Sequence, residues 1–304
     1  MRISVIIPTY NAEKYLQRLL QSLKQQSISF ELLIIDSSSL DDTIQIANEY
    51  ADKIITIPKA EFDHGATRTK AAKASSGDIL IFLTQDAIFS DSRSIEEILK
   101  VFQDKEVAAA YGRQLAHEDT NIFGKHLRSF NYPASSYVRT LDDKEKYGIK
   151  TSFLSDSFSA YRRTILEEVQ WFKSGLIFGE DAHIGAKILK AKYALAYASQ
   201  AKVYHSHSYT ILEEFKRYFD VGVFHKRENW ILETFGKAEG EGTRFIKSEF
   251  NYLLKHHAYF RILESFFRNA MKYLGYKLGS NYESFPVAII KKLSLHPQWW
   301  DKHS

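Results

Sequence analysis

The chain has 304 residues, of which 44% are hydrophobic and 26% charged, with a formal net charge of +4. This length and composition predict a globular protein with a sizeable core, in one large domain or two smaller ones. The absence of cysteine excludes a disulfide framework and a thiolate metal site, and it fits a reducing cytoplasm. Since no apolar run is long enough to cross a bilayer and RISVIIP ends early at Pro8, we expect neither a membrane span nor a signal peptide.

The first half of the chain alternates strand-like and helix-like segments. Apolar, β-branched runs predict strands at ISVIIP, ELLIID, KIITIP and DILIFL. Helices are predicted at TYNAEKYLQRLLQSLKQQ, at DDTIQIANEYA and at HGATRTKAAKASSG, the last ending at Gly77. This alternation predicts an α/β fold with a mostly parallel sheet and helices on both faces.

The second half begins with a looser pattern, from about Val107. VAAAYGRQ and AKVYHSHSYT resemble strands, and FLSDSFSAYRRTIL carries an apolar stretch into a helix. Beyond Thr210 the strand patterns disappear, and two or three helices follow. We therefore divide the chain into an α/β domain over residues 1–210 and a C-terminal helical region over residues 211–304.

Ligands of parallel α/β sheets bind outside the carboxyl ends of the strands. The polar residues at those ends are Thr9, Tyr10 and Asn11, then 36–39, then 84–86. The chain contains neither G-x-G-x-x-G nor G-x-x-x-x-G-K-[ST], which disfavours a dehydrogenase-type dinucleotide site and an ATPase-type phosphate loop. Asp36 closes a strand, and its carboxylate could accept hydrogen bonds from a nucleobase or a ribose.

Asp86 is a candidate ligand of a divalent cation, although a single carboxylate more often belongs to a turn. In YHSHS a strand would point His205 and His207 to the same face. Neutral imidazole suits manganese, and carboxylate suits magnesium or manganese. One histidine could bind the metal while the other binds phosphate or orients its neighbour.

Two further groups of residues have both a structural and a functional interpretation. Glu180 and Asp181 precede a helix, where they either stabilise its N-terminus or supply a general base. Arg68 follows the H-G turn at His64 and is either a surface residue or a phosphate ligand. The spacing alone leaves both alternatives open.

The C-terminal region contains an amphipathic pattern with a basic side. Helical spacing gives one apolar face, formed by Phe260, Leu263, Phe267, Met271 and Leu274. Such a helix either lies in a membrane interface or packs against the rest of the protein. Trp299 and Trp300, taken as interfacial residues, favour the membrane.

Taken together, these motifs resemble family 2 glycosyltransferases of the GT-A fold. The resemblance runs from SVIIPTYNAEKYLQRLLQSLKQQ through ELLIIDSSSLDDT and HGATRTKAAKASSGDILIFLTQDA to FGEDAHIGAKIL, roughly the first two hundred residues. Within the family, FDHGATRT, LTQDA, YHSHSYT and KYLGYKLGSNY look like bacterial rhamnosyltransferases of cell-surface polysaccharide assembly.

The resemblance implies roles for individual residues. The residues that it assigns to the nucleotide site are Thr9, Tyr10, Asn11, Asp36, Arg68 and Gln85, with Asp36 on the pyrimidine edge and Arg68 facing the phosphates. Family members usually carry D-x-D where this chain has Thr84-Gln85-Asp86. Asp86 would therefore bind Mn or Mg together with a later histidine. His205 is the first choice for this ligand, and His207 is the second. Asp181 matches the catalytic base of the family's E-D motif.

The implied activity is the inverting transfer of a sugar, L-rhamnose from dTDP-rhamnose, to a hydroxyl of a lipid-linked polysaccharide. A UDP-hexose or UDP-N-acetylhexosamine donor is an alternative, as is a non-catalytic nucleotide-sugar-binding protein. A sugar nucleotidyltransferase would need a glycine-rich basic loop after the first strand, which PTYNAEKY does not offer. We expect no nucleic-acid partner, and a cytoplasmic enzyme with peripheral contact to the inner face of the membrane through its C-terminal helices.

Overall fold

The computed structural model describes residues 1–236 and 240–303. Nine strands form over these residues: β1 Ile3–Thr9, β2 Glu31–Asp36, β3 Lys53–Thr56, β4 Ile79–Leu83, β5 Ile88–Phe89, β6 Val107–Leu115, β7 Tyr137–Arg139, β8 Phe158–Arg162 and β9 Ala194–Tyr204.

Fourteen α-helices form over the same residues. Eight belong to the first 210 residues: α1 Glu13–Lys24, α2 Thr43–Asn48, α3 His64–Ala74, α4 Ser94–Leu99, α5 Ile122–Asn131, α6 Lys144–Tyr147, α7 Arg163–Glu168 and α8 Glu180–Lys190. Six follow: α9 Ile211–Arg227, α10 Asn229–Phe235, α11 Glu241–Lys255, α12 Arg261–Ser280, α13 Val287–Leu293 and α14 Trp300–His303.

The strands form one mixed sheet in the order β3-β2-β1-β4-β8-β6-β9-β5, with β7 paired to β9. The first four strands run parallel, as the sequence pattern predicts. The pattern did not indicate that β8 runs antiparallel between β4 and β6. Because Leu83 at the end of β4 pairs with Phe158 at the start of β8, the segments 84–86 and 155–157 meet at one edge of the sheet.

Helices cover both faces of this sheet, as predicted. Successive residues of β1 point to opposite faces, so Ile6 joins one buried cluster while Val5 and Ile7 join the other. The cluster around Val5 contains Leu16 and Leu19 of α1. Residues of α3, α7, α8 and α9 complete the cluster around Ile6. The α/β class expected from the alternating pattern is therefore confirmed.

The second helix begins after an aspartate, as its sequence predicts, whereas the third ends earlier than predicted. Asp42 occupies the N-cap position of α2 without a side-chain bond, while the carboxylate of Asp41 accepts from the Thr43 backbone N–H at 3.2 Å. Helix α3 begins after Asp63, whose side chain accepts from the Ala66 N–H. It ends at Ala74, three residues before the glycine expected to stop it.

Helix α12 packs its small and polar side, not its apolar side, against α9. The Cα atoms of Gly275 and Gly279 lie so close to α9 that an added Cβ would meet the carbonyl oxygens of Phe215 and Phe219. On the same side Arg268 is buried and lies 3.1 Å from the Glu214 carboxylate. The apolar side of α12 therefore faces outward. Among the described residues there is no helix with both the length and the apolar character needed to cross a bilayer.

The prediction that Trp299 and Trp300 are membrane anchors is wrong. Trp300 is only 1% exposed and belongs to the same buried cluster as Ile6, with its ring 5.3 Å from that of Tyr282. The Trp299 ring stacks on His303 with 4.4 Å between ring centroids. Both indoles are held by the protein because the last helices fold back onto the α/β domain.

Candidate active site

The ends of β1 and β2 are joined through a buried carboxylate. Thr9 and Asp36 are register partners, and the Thr9 hydroxyl donates to Asp36 Oδ1 at 2.8 Å. The Ser39 hydroxyl and backbone N–H donate to the two oxygens of the same carboxylate. With no exposed surface, Asp36 shapes the loop 37–39, and its role at a pyrimidine edge remains a prediction.

Gln85 links the loop after β4 to the loop after β1. Its side-chain oxygen accepts from the Tyr10 N–H at 2.8 Å, and its amide nitrogen donates to the Tyr10 carbonyl at 3.3 Å. Asn11, at a φ of 45°, accepts from the Leu40 N–H at 3.0 Å. A carboxylate at position 85 could not donate to the Tyr10 carbonyl, which explains in physical terms why an amide stands there.

Asp86, His205 and His207 form a compact group at the ends of β4 and β9. One ligand atom from each lies within 4.8 Å of the other two, and His205 Nε2 is 3.5 Å from Asp86 Oδ1. Both histidines follow the last residue of β9, so the loop rather than strand alternation brings them together. This mixed imidazole and carboxylate set suits a borderline or hard divalent cation.

Gln114 orients His205 from the neighbouring strand β6. The Gln114 amide nitrogen donates to the Ser155 hydroxyl at 2.8 Å, which leaves its oxygen to accept from His205 Nδ1 at 2.9 Å. That bond places the proton on Nδ1 and a free lone pair on Nε2, the atom nearest Asp86. Burial lowers the pKa of His205 to about 3, so the ring is neutral at physiological pH.

Asp181 lies at the start of α8 beside two other carboxylates. Its Oδ1 accepts from the Ala182 N–H at 2.7 Å, and the Asp156 N–H is 3.4 Å from its Oδ2. Burial, followed by the charges of Glu180 and Asp156, raises the pKa of Asp181 to about 8. A carboxylate with this pKa is a much stronger base than an ordinary aspartate.

Arg68 binds both neighbours of Asp181. Its guanidinium lies 2.8 Å from Glu180 and 3.1 Å from Asp156. Burial opposes ionisation of Glu180, but the Arg68 charge together with smaller contributions from other neighbours outweighs burial and lowers the pKa of Glu180. Asp156 also accepts from the Ser159 and Tyr161 hydroxyls at 2.6 Å. Arg68 thus contacts the acidic cluster in this structure, and its contact with phosphates remains a prediction.

The segment 155–157 connects two groups of side chains. One is the cation group, Asp86, His205 and His207; the other is the acidic cluster, Asp156, Glu180 and Asp181. Ser155 accepts from Gln114, which holds His205, and the next residue, Asp156, contacts Arg68 and lies beside Asp181. Sequence reasoning missed Gln114 and Asp156 as site residues. The polar triplet S-D-S immediately before the apolar run FSAY was the available signal for Asp156, because polar residues flank strands at ligand-binding edges.

Comparison with known proteins identifies the family. The model for glycosyl transferase family 2 matches residues 4–170. This chain belongs to glycosyl transferase family 2. The O-antigen chain rhamnosyltransferase RfbN of Salmonella typhimurium is 45% identical to this glycosyltransferase over 99% of the chain and 96% of the relative. WbaN of Salmonella anatum, also named an O-antigen chain rhamnosyltransferase, is 45% identical over 98% and 95%.

Solved structures support the same fold. The mannosyltransferase PcManGT from Pyrobaculum calidifontis, in complex with GDP-Man and Mn2+, has a TM-score of 0.65 at 14% identity, covering 93% of this glycosyltransferase and 88% of the other chain. TarS 1–349 from S. aureus with UDP-GlcNAc has a TM-score of 0.55 at 17% identity, covering 93% and 91%. The GT-A fold expected from the sequence resemblance is confirmed.

Proposed function

We propose that this glycosyltransferase transfers L-rhamnose from dTDP-rhamnose to a hydroxyl of a lipid-linked polysaccharide with inversion of configuration. Two relatives that are 45% identical over nearly the whole chain are named O-antigen chain rhamnosyltransferases, which supports the sugar and the acceptor class. The observation that carries the chemistry is the half-buried Asp181 carboxylate, whose pKa is raised to about 8 by burial and by two neighbouring acids.

Asp181 acts as the general base. Its carboxylate takes the proton of the acceptor hydroxyl as that oxygen attacks the anomeric carbon from the face opposite the diphosphate. The new C–O bond forms as the bond to the diphosphate oxygen breaks, so configuration inverts in one displacement without a covalent enzyme intermediate. Arg68 lies against Glu180 and Asp156 beside Asp181 and lowers the pKa of Glu180, whose negative charge strengthens Asp181 as a base.

Asp86 and His205 would hold a divalent cation, with His207 as the third protein ligand. The residues fit such an ion because their ligand atoms converge within 4.8 Å, His205 is neutral, and Gln114 turns its Nε2 lone pair toward Asp86. When bound, a cation here supplies Lewis-acid stabilisation of the departing nucleoside diphosphate. Manganese suits the two imidazoles better than magnesium does.

The nucleoside of the donor lies at the ends of β1 and β2. Thr9, Tyr10 and Asn11 line its site, Gln85 connects this site to Asp86, and the loop shaped by Asp36 forms one side. In this division residues 1–210 form the nucleotide-sugar-binding catalytic domain, and residues 211–304 hold the enzyme near its acceptor.

We assign the enzyme to the cytoplasmic side of the membrane, bound peripherally through the outward side of α12. Phe260, Leu263 and Phe266 on or beside this helix are 98%, 66% and 68% exposed. Lys255 and Arg261 are exposed next to them. An apolar strip flanked by cations is complementary to an anionic bilayer surface, where a lipid-linked acceptor would be found.

The experiment that tests this function is nucleoside diphosphate release from a panel of dTDP- and UDP-sugars, with glycolipid extracted from membranes as acceptor. Each reaction is run with Mn2+, with Mg2+ and with chelator. Turnover of dTDP-rhamnose alone, lost with chelator, is expected. Turnover of a UDP-hexose or UDP-N-acetylhexosamine instead would retain the mechanism and replace the donor. No turnover across the panel, with acceptor present, would favour a non-catalytic nucleotide-sugar-binding protein.

A further inference from the structure

Two arginines next to the cation group have no carboxylate partner. Arg128 of α5 and Arg217 of α9 form no ion pair within the part of the chain that the structure describes, and the proposed function does not use them. By contrast, the buried Arg68 and Arg268 each contact carboxylates. A guanidinium without a carboxylate partner beside a substrate site is a suitable anion ligand, since its planar fork matches the oxygens of a phosphate.

Helix α5 turns the side that carries Arg128 toward the cation group. A Cβ added at Gly124, one helical turn earlier on the same side of α5, would lie 2.7 Å from the His207 carbonyl oxygen. The Arg128 side chain donates no hydrogen bond to any of the described residues, and the residue as a whole is only half-buried. The end of this side chain therefore remains accessible to a ligand.

Arg217 lies between the cation group and the acidic cluster. Its guanidinium carbon is 5.8 Å from the centre of the Tyr209 ring and 5.8 Å from the centre of the Phe178 ring. The Tyr209 ring is itself 5.4 Å from the His207 ring, and Phe178 comes three residues before Asp181. Arg217 is exposed, so its guanidinium can bind an anion that enters between these two groups.

Both guanidinium charges act on the same imidazole. Burial, followed by the charges of Arg128 and Arg217, lowers the pKa of His207 against the opposing charge of Asp86. The two arginines therefore approach one place from different helices, α5 and α9. Because their charges repel each other, an anion bound between them is stabilised by both.

The position of the arginines favours the acceptor over the donor as the source of this anion. The donor is assigned to the ends of β1 and β2 and to the cation group, whereas α5 reaches the loop after β9, which is separated from β1 by β4, β8 and β6. Both arginine-bearing helices also contact α12: an added Cβ at Gly275 would meet the Phe215 carbonyl of α9, and the Arg268 guanidinium lies 4.4 Å from the Phe123 ring of α5. The arginines thus lie on elements that join the active site to the helix assigned to the membrane.

Resting on the proposed function, we propose that Arg128 and Arg217 bind a phosphate group of the lipid-linked acceptor while Asp181 receives the proton of the attacking hydroxyl. This contact orients the acceptor through its charged group, since glycan hydroxyls alone offer only neutral hydrogen bonds. The arginines are therefore binding residues for the second substrate, and the cation group remains assigned to the first.

The test separates acceptor from donor by two measurements on the same variants. Arg128→Gln and Arg217→Gln remove one charge each, and Arg128→Lys keeps the charge without the guanidinium fork. Lys216→Gln is the matched control, because it removes a cation from α9 at a position about 100° around the helix from Arg217. The KM for glycolipid extracted from membranes is measured at saturating dTDP-rhamnose, and dTDP affinity is measured by calorimetry with Mn2+. The same glycan, released from its lipid phosphate by mild acid, is the acceptor without phosphate.

We expect Arg128→Gln and Arg217→Gln each to raise the KM for glycolipid about tenfold or more, the effect of a lost charged hydrogen bond. Their dTDP affinity should stay within about twofold of that of the unaltered protein. Arg128→Lys should recover part of the loss, and Lys216→Gln should behave like the unaltered protein. The unaltered protein should use the released glycan poorly, and the two glutamine variants should use it no worse.

A loss of dTDP affinity as large as the rise in KM would assign the arginines to the donor diphosphate and overturn this inference. An unchanged KM for glycolipid in both glutamine variants, with unchanged melting temperatures, would overturn it while leaving the proposed function intact. An equal rise in KM for the released glycan would exclude phosphate as the group that is bound. Absence of transfer by the unaltered protein with every donor would overturn the proposed function and this inference together.

Discussion

Three carboxylates, Asp156, Glu180 and Asp181, surround one guanidinium in the proposed active site. Arg68 contacts the first two directly; the pKa of Glu180 is lowered, whereas burial raises the pKa of Asp156 despite the Arg68 charge. Asp181 has no ion pair within residues 1–236 and 240–303, and the pKa of Asp181 rises to about 8 as a result of burial and of the neighbouring negative charges. The single arginine thereby distinguishes Asp181, the proposed base, from its neighbour Glu180.

Asp181→Asn should remove this base without changing the size of the side chain. We expect transfer to fall by at least about 10²–10⁴-fold, the usual contribution of a general base, while dTDP affinity stays within about twofold. The measurements are nucleoside diphosphate release with acceptor and calorimetric titration with dTDP. Retention of most of the transfer activity would show that another group accepts the proton.

Gln114→Leu should weaken cation binding although Gln114 is not a ligand. The substitution removes the acceptor that holds the proton on His205 Nδ1, so the competing tautomer, with its proton on Nε2, becomes available. We expect Mn2+ affinity to fall about 10- to 100-fold, measured from the free-ion electron paramagnetic resonance signal. Gln200→Leu, at an exposed position, is the control, and an equal effect in both variants would contradict the orienting role.

At the scale of secondary structure, α12 turns its polar side inward and its apolar side outward, which is the opposite of most surface helices. Its inward side consists of glycines and buried charges that pair with carboxylates, as Arg268 does with Glu214 and Glu264. Its outward side carries large apolar residues. The ion pairs and the close approach to α9 fix this rotation, because turning the helix would bury aromatic rings where only glycine fits and leave buried acids unpaired.

Gly279→Ala should destabilise the protein through this contact. A Cβ at position 279 would lie 1.9 Å from the Phe219 carbonyl oxygen, so α12 must move away from α9. We expect a loss of about 1–3 kcal/mol in the free energy of unfolding, measured by denaturant titration. Gly242→Ala, where an added Cβ meets nothing within 4 Å, is the matched control and should change stability by less than about 1 kcal/mol.

The outward side of α12 should govern lipid binding. Phe266→Glu combined with Leu263→Glu places two carboxylates on the exposed strip without touching the contact with α9. We expect loss of most co-sedimentation with vesicles of phosphatidylglycerol and phosphatidylethanolamine, together with unchanged dTDP affinity. Val138→Glu, at a half-exposed position on β7, is the control. Undiminished sedimentation of the double variant would show that another surface meets the lipid.

The raised pKa of Asp181 gives the whole molecule a pH dependence of stability. Since an ordinary aspartate has a pKa of 3.8 and the folded protein raises it to about 8, the folded state binds this proton more tightly than the unfolded state does. The contribution to stability is present below pH 4 and is lost as pH rises toward 8.

Asp181→Asn should therefore melt at a higher temperature than the unaltered protein at pH 8.5, with a difference that shrinks toward pH 5. Over the same range the transfer activity of the unaltered protein should rise with pH as the base loses its proton. Scanning calorimetry and initial rates in matched buffers measure the two effects. A constant melting difference from pH 5 to 8.5 would contradict the raised pKa.

Sequence reasoning was most informative where structure follows from local patterns. The runs of β1 to β4, the helices between them and the family itself could be predicted because burial and capping act on neighbouring residues. The direction of β8 and the pairing of Arg68 with Asp156 could not, since both depend on contacts between distant segments. The prediction for Trp299 and Trp300 was wrong because a large aromatic residue suits a core and a membrane interface equally well. Only the contacts with distant segments show which of the two applies.

The antiparallel strand β8 also determines how much of the chain must fold before the active-site groups can form. Pairing β4 with β8 requires closure of the intervening chain, residues 84–157, and such non-local contacts are entropically costly and slow to form. The cation group and the acidic cluster both depend on that closure, because Asp86 and Asp156 lie at its two ends. A partly folded molecule therefore lacks both groups at once. It cannot break the bond between sugar and diphosphate in the donor before the acceptor site has formed.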